Sequence, residues 1–197
     1  MRHAASKLLL AHWNEVRRGP LAPDRNDLDP SAIGSVLHDV FILGAESGGT
    51  WRYRVAGTRL SGFAGRDLRD EPFERWWSAA DRRGIGGMLD GVAADDAPLV
   101  GGACGVSPDA ARHEFELVLL PLRHGGRTRQ RMLGGLFPSS PAARRLGVQI
   151  EEIELVSLRA LAGHGTDAPA FGRMPSGVEA SIERRRAFRV IEGGVQH

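Results

Sequence analysis

The 197-residue chain is 42% hydrophobic and 25% charged, the balance of a globular protein with a packed core. Lys and Arg number 26 against 24 Asp and Glu, and the arginines are scattered along the chain, so the concentrated basic face of a nucleic-acid binder is not expected. The single cysteine, Cys104, excludes an intrachain disulfide and a multi-cysteine metal centre, and fits a reducing cytoplasm.

Residues 3–18 read as an amphipathic helix. Leu9, Trp13 and Val16 recur at helical spacing, Arg17 and Arg18 suit the negative end of the helix dipole, and Gly19-Pro20 ends the run. The stretch Lys7-Leu8-Leu9-Leu10-Ala11 is interrupted by His12, Asn14 and Glu15 too soon for the apolar region of a signal peptide. No apolar run of about 18 residues is present for a membrane span, and the protein is expected to be cytoplasmic. Residues 20–30 form a Pro- and Asp-rich loop. Asp29 then caps a short helical turn reaching Leu37, with Pro30 at its first position.

The period changes after residue 38. Val40 to Gly44 is a short apolar run, Ser47-Gly48-Gly49-Thr50 is a turn, and Trp51 to Val55 alternates with period two, so a hairpin is predicted. Trp51, Tyr53 and Val55 should meet the core while Arg52 and Arg54 face away. Thr58 is placed to cap a helical turn holding Leu60 and Phe63. Residues 72–91 read as a helix carrying Phe73, Trp76, Trp77, Ile85, Met88 and Leu89, weakened by Gly84, Gly86 and Gly87. Three strands follow: Pro98 to Val106, His113 to Arg123, and Arg131 to Pro138. In the middle one, Phe115, Leu117 and Leu119 face one side, and Glu114, Glu116 and Val118 the other. Ile150 to Leu161 fits strand or helix, with a strand turning into a short helix preferred. Residues 162–181 read as a Gly- and Pro-rich linker before the basic run Arg184 to Arg189. Three parts are therefore expected: 1–37 as N-terminal helix and loop, 38–161 as the main domain, and 162–197 as a flexible tail.

This order resembles a PAS domain, and in particular the stand-alone PAS-like family of alphaproteobacteria (the PAS_5 type). The resemblance is carried by Trp13, Pro23 to Pro30, Ile33, Phe41-Ile42-Leu43, Tyr53-Arg54-Val55-Ala56-Gly57-Thr58, Phe63 to Leu68 and Trp77. It implies an α+β fold: a five-stranded antiparallel sheet, short helices on one face and an N-terminal amphipathic helix. It also implies a non-enzymatic regulatory sensor or adaptor, acting through protein contacts in bacterial signalling, with some family members linked to motility and cell-cycle control. It supplies no catalytic residue and no cofactor. No kinase, cyclase or DNA-binding segment is recognised in the chain, so a partner would relay the output.

Cys104 could serve as a nucleophile with His113 or His124 as base, but a small residue in a Gly-rich strand is the favoured reading. No Gly-x-Ser-x-Gly elbow and no His-Glu-x-x-His metal spacing occurs. His12 is expected at a surface or interface. Gly84-Ile85-Gly86-Gly87 lacks the Lys-Ser/Thr of a phosphate loop and reads as a bend within a helix. Arg185-x-x-x-Arg189 resembles the opening arginines of PilZ domains, but only eight residues follow, so a solvated basic tail is expected. Phe63, Trp76, Trp77, Met88, Cys104 and Phe115 are candidate lining residues for a small apolar ligand, the alternative reading of function. Leu9, Trp13 and Val16 form a stripe that must be covered, by the sheet or by a second protomer, and a homodimer is the expected solution.

Overall fold

The computed structural model describes residues 1–19, 21–125, 127–139 and 147–161. Helix α1 spans Ala4–Val16, and His3 caps it by accepting a hydrogen bond from the Ala5 N–H at Nδ1. Arg17 is already extended, so the two arginines lie just past the helix, and the Arg17 guanidinium stacks 5.0 Å above the Trp13 ring. Two 3-10 turns follow, Arg25–Asp27 and Gly34–Asp39. Between them, Asp29 accepts from the Ser31 N–H at 2.8 Å, but the helical turn starts only at Gly34 with Ile33 at its N-cap, so Asp29 braces the preceding turn and does not cap the helix as expected.

Strands β1 (Val40–Ala45) and β2 (Trp51–Ala56) form the expected hairpin, turned by Gly48 and Gly49 at positive φ. Its register slips: Ile42 faces Val55 but Leu43 faces Tyr53, leaving Arg54 as an extra residue. That bulge corrects the predicted facing of Val55. Trp51 and Tyr53 are buried, whereas Val55 is 42% exposed, because one inserted residue inverts the alternation beyond it. Helix α2 (Thr58–Ala64) is capped by Gly57 rather than Thr58, and Gly65 at φ +66° ends it. The single helix predicted over 72–91 is two pieces, a 3-10 turn at Phe73–Trp76 and helix α3 at Arg82–Asp95. The break follows Trp76, where the Ser78 N–H donates to the Ile153 carbonyl of the last strand. The glycines predicted to bend the helix lie within α3 with no interruption. Gly86 and Gly87 have open space around them.

Strands β3 (Leu99–Val106), β4 (Arg112–His124), β5 (Arg127–Pro138) and β6 (Glu152–Ala160) complete one antiparallel sheet in the order β2-β1-β5-β4-β3-β6. Among the described residues the sheet thus has six strands, not five. The segment Ile150 to Leu161 does not turn helical, because β6 pairs with β3 along its length, from Glu152 opposite Val106 to Ala160 opposite Leu99. Two glycines permit close packing across β5. A Cβ at Gly134 would enter the Phe41 ring, and one at Gly135 would enter Phe137 and crowd Leu9.

Both faces of the sheet are covered. On one, α2, α3 and the Phe73–Trp76 turn bury Phe41, Tyr53, Phe115, Leu117 and Leu119. On the other, α1 buries Val118, Leu120, Leu133 and Phe137 beneath Leu9 and Trp13. The short helices thus keep to one face, and the N-terminal helix covers the other. Leu9 and Trp13 are fully buried by the chain's own sheet, and Trp13 Nε1 donates to the Pro121 carbonyl at 2.8 Å. Those two are covered from within, each contributing about 1.5–3 kcal/mol on burial, while Val16, the third residue of the stripe, stays half-buried. His12, expected at a surface or interface, is buried within the chain, and its Nε2 accepts from the Asp29 N–H at 3.1 Å. The tail expected over 162–197, including Arg184 to Arg189, lies outside the described residues.

Candidate functional site

The helix-bearing face is built from aromatic rings. Phe73 of the 3-10 turn meets Phe41 and Tyr53, each at 5.4 Å between centroids, and Trp77 at 5.7 Å. Phe41 meets Tyr53 edge-on. Phe63 of α2 meets Phe115 of β4 edge-on at 5.3 Å, a favoured aromatic geometry. Phe41, Tyr53, Phe73 and Trp77, with Leu60, Trp76, Leu117, Leu136 and Ile153, line a cavity of about 10 Å³. That is near the least space that admits one water.

Three tryptophans differ in how their N–H groups are met. Trp51 Nε1 donates to Asp90 of α3 at 2.9 Å, and Trp76 Nε1 donates to the Ile150 carbonyl at 3.0 Å. Trp77 Nε1 is buried with no partner, and its ring lines the cavity. An orphaned buried donor costs about 1–3 kcal/mol. Burial pushes the Tyr53 hydroxyl above its ordinary range, so it stays a neutral phenol.

The segment 147–161 holds the helices against this face. Ile150 N–H donates to the Phe63 carbonyl at 2.6 Å, Ser78 N–H to the Ile153 carbonyl at 2.8 Å, and Leu155 N–H to Asp81 at 3.0 Å. Asp81, itself buried, also accepts from the Ser78 hydroxyl at 2.8 Å.

Of the six lining candidates, Phe63, Trp76, Trp77, Met88 and Phe115 share this buried cluster, and Trp76 and Trp77 border the cavity. Cys104 does not belong there. It pairs with Glu114, one residue out of step with Ala103 and Phe115, so its side chain stands on the opposite face. The residues that border the cavity and were not singled out from the sequence include Phe41, Tyr53, Phe73 and Ile153. The alternation of Trp51 and Tyr53 marked their side of β2, but nothing local marked Ile153, whose strand forms only by long-range pairing.

The nucleophile reading also fails on geometry. Burial raises the Cys104 thiol above its ordinary range, which disfavours the thiolate. Its Sγ contacts the Gly105 carbonyl, and His113 instead shares a 2.6 Å hydrogen bond with the Ser107 hydroxyl. His124 lies at the far end of β4. Among the described residues no group of three His, Cys, Asp or Glu side chains could hold a metal ion. Nor is any described helix long and apolar enough to cross a membrane.

A single antiparallel sheet whose strands cradle short helices around an aromatic core defines an α+β domain. The family model of the PAS domain matches residues 1–137, and the chain belongs to that family. PAS domains are signalling sensor modules, and the match takes in α1 through β5, leaving β6 outside it. No curated protein matches the chain.

Proposed function

We propose that this PAS domain is a non-enzymatic regulatory module, a cytoplasmic sensor or adaptor that signals through contacts with other proteins. The observation that carries the reading is the filled core. Ligand pockets commonly measure about 300–1,000 Å³, whereas the aromatic rings here leave about 10 Å³. The moving part in this reading is α1. Leu9, Trp13 and Val16 meet a partner or a second protomer when the helix leaves the sheet, and a signal acts by biasing that docking equilibrium. The pathway served would be one of bacterial signalling, motility and cell-cycle control among the candidates that the family resemblance implies.

A second reading is supported by Trp77. Its N–H is buried and unpartnered, and the residue borders a space lined by apolar side chains, which suits a small apolar ligand carrying one hydrogen-bond acceptor once Trp76 and Trp77 move apart. Native mass spectrometry of the freshly purified chain, combined with light scattering across a concentration series, separates the two. The protein-contact reading expects a bare polypeptide mass and self-association that strengthens with concentration or with an added partner. A stoichiometric bound compound would hand the site to the ligand reading.

A further inference from the structure

Helix α1 starts with the wrong charge for its position. No acidic residue stands in its first turn, while Arg2 precedes the turn and Lys7 closes it. A helix carries unpaired N–H groups and the positive end of its dipole at the N-terminus, where cations weaken it. On its own, the stretch Arg2 to Lys7 should fray.

The compensation comes from the sheet. Glu116 of β4 offers one carboxylate oxygen to each of two successive backbone donors: Oε2 accepts from the Arg2 N–H at 2.7 Å, and Oε1 from the His3 N–H at 3.1 Å. Glu116 is half-buried and pairs with Phe137 of β5, on which the His3 ring stacks at 5.5 Å between centroids. His3 Nδ1 in turn accepts from the Ala5 N–H. The helix runs along β4 from Glu116 at its start to Pro121, which takes the Trp13 hydrogen bond. That later half is held differently, by the burial of Leu9 and Trp13 and by the bond between His12 and Asp29. The two halves of α1 therefore depend on different interactions, and at the first the charge of the anchor is supplied by one carboxylate from a distant strand.

We propose that Glu116 is the latch of α1: its carboxylate both fastens the first turn to β4 and makes that turn helical, so that α1 opens from this end. The proposal rests on the reading of α1 as the moving part. When the turn leaves Glu116, its N–H groups lose a charged acceptor and its cations again oppose the dipole. Undocking and unwinding of the turn are then one event, and Phe137 is uncovered before the surface under Trp13. Glu116 acts here as a positioning residue.

The test is residue-resolved amide hydrogen exchange on the full chain, with light scattering on the same samples. Glu116→Gln should speed exchange about tenfold at His3, Ala5 and Lys7, whose N–H groups are hydrogen-bonded in this turn. Exchange in α2, α3 and β6 should stay as in wild type. Glu114→Gln removes an equal charge from an exposed position two residues away and should leave α1 unchanged. Adding Lys7→Glu to Glu116→Gln returns an acid to the first turn and should slow exchange at Ala5 again. The proposal is overturned if Glu116→Gln exchanges at wild-type rates in this turn, or if Glu114→Gln opens it equally. It is also overturned if exchange rises as much in α2, α3 and β6, or if the double variant exchanges no more slowly than Glu116→Gln. An opened turn with no gain in self-association would leave the latch standing and count against the protein-contact reading. Self-association gained with the turn closed would sink the latch and leave that reading in place.

Discussion

Trp13 offers the sharpest trial of how this chain is held together. Its indole is fully buried between α1 and the sheet, donates to the Pro121 carbonyl at 2.8 Å and carries the Arg17 guanidinium on its outer face. Trp13→Phe keeps most of the apolar volume but deprives a buried carbonyl of its donor, at about 1–3 kcal/mol. Trp13→Ala also leaves a cavity, at about 3–5 kcal/mol. Domains of this kind have total stabilities of about 5–15 kcal/mol, so the alanine variant should lose a large share. With a urea slope of about 2 kcal/mol/M, its midpoint should fall by about 2 M, and that of the phenylalanine variant by about 1 M. Trp13→Asp should not yield a well-folded monomer, because it buries an unpaired carboxylate. Equilibrium urea unfolding, followed by far-ultraviolet circular dichroism and repeated at two protein concentrations, measures all three. If Trp13→Ala keeps its midpoint within about 0.3 M of wild type while a dimer dissociates, Trp13 belongs to an interface and the packing account is wrong.

Other expectations follow from the same geometry. Gly134→Ala would drive a methyl group into the Phe41 ring, and should cost about 1–3 kcal/mol by overpacking, read as a lower urea midpoint with an unchanged slope. Hydrogen bonds from Arg52 and then Arg54 hold the Glu46 carboxyl below the usual carboxylate range. A depressed carboxylate stabilises the fold fully above its unfolded value of about 4.3, and that stability is lost as pH falls through the lower folded value. The unfolding temperature of Glu46→Gln should therefore fall less steeply than that of wild type below about pH 4; parallel acid limbs would contradict this. Cys104 is 6% exposed, with its thiol pushed up by burial. Iodoacetamide should label it slowly in the native protein and readily in urea, and rapid native labelling would show the thiol to be accessible.

What the sequence determined was mostly local. The changes of period marked α1 and five of the strands, because a helix repeats near every third or fourth residue and a half-buried strand every second. Phe115, Leu117 and Leu119 were assigned correctly to one face of β4 by that alternation alone. The PAS resemblance was legible from residues within the stretch that the family model matches.

Tertiary structure decided the rest, wherever a residue's surroundings depend on chain distant in sequence. Val55 turned outward because a bulge against β1 added a residue that no local pattern announces. Cys104 left the cavity face because the register of β3 on β4 set its side, and a one-residue difference in a strand reverses the face. Residues 152–160 became strand rather than helix because the open edge of β3 supplied their hydrogen-bond partners. The fate of the Leu9 and Trp13 stripe was likewise a matter of competition between surfaces: amphipathicity states that an apolar face must be covered, while only the assembled sheet shows that β4 and β5 cover it.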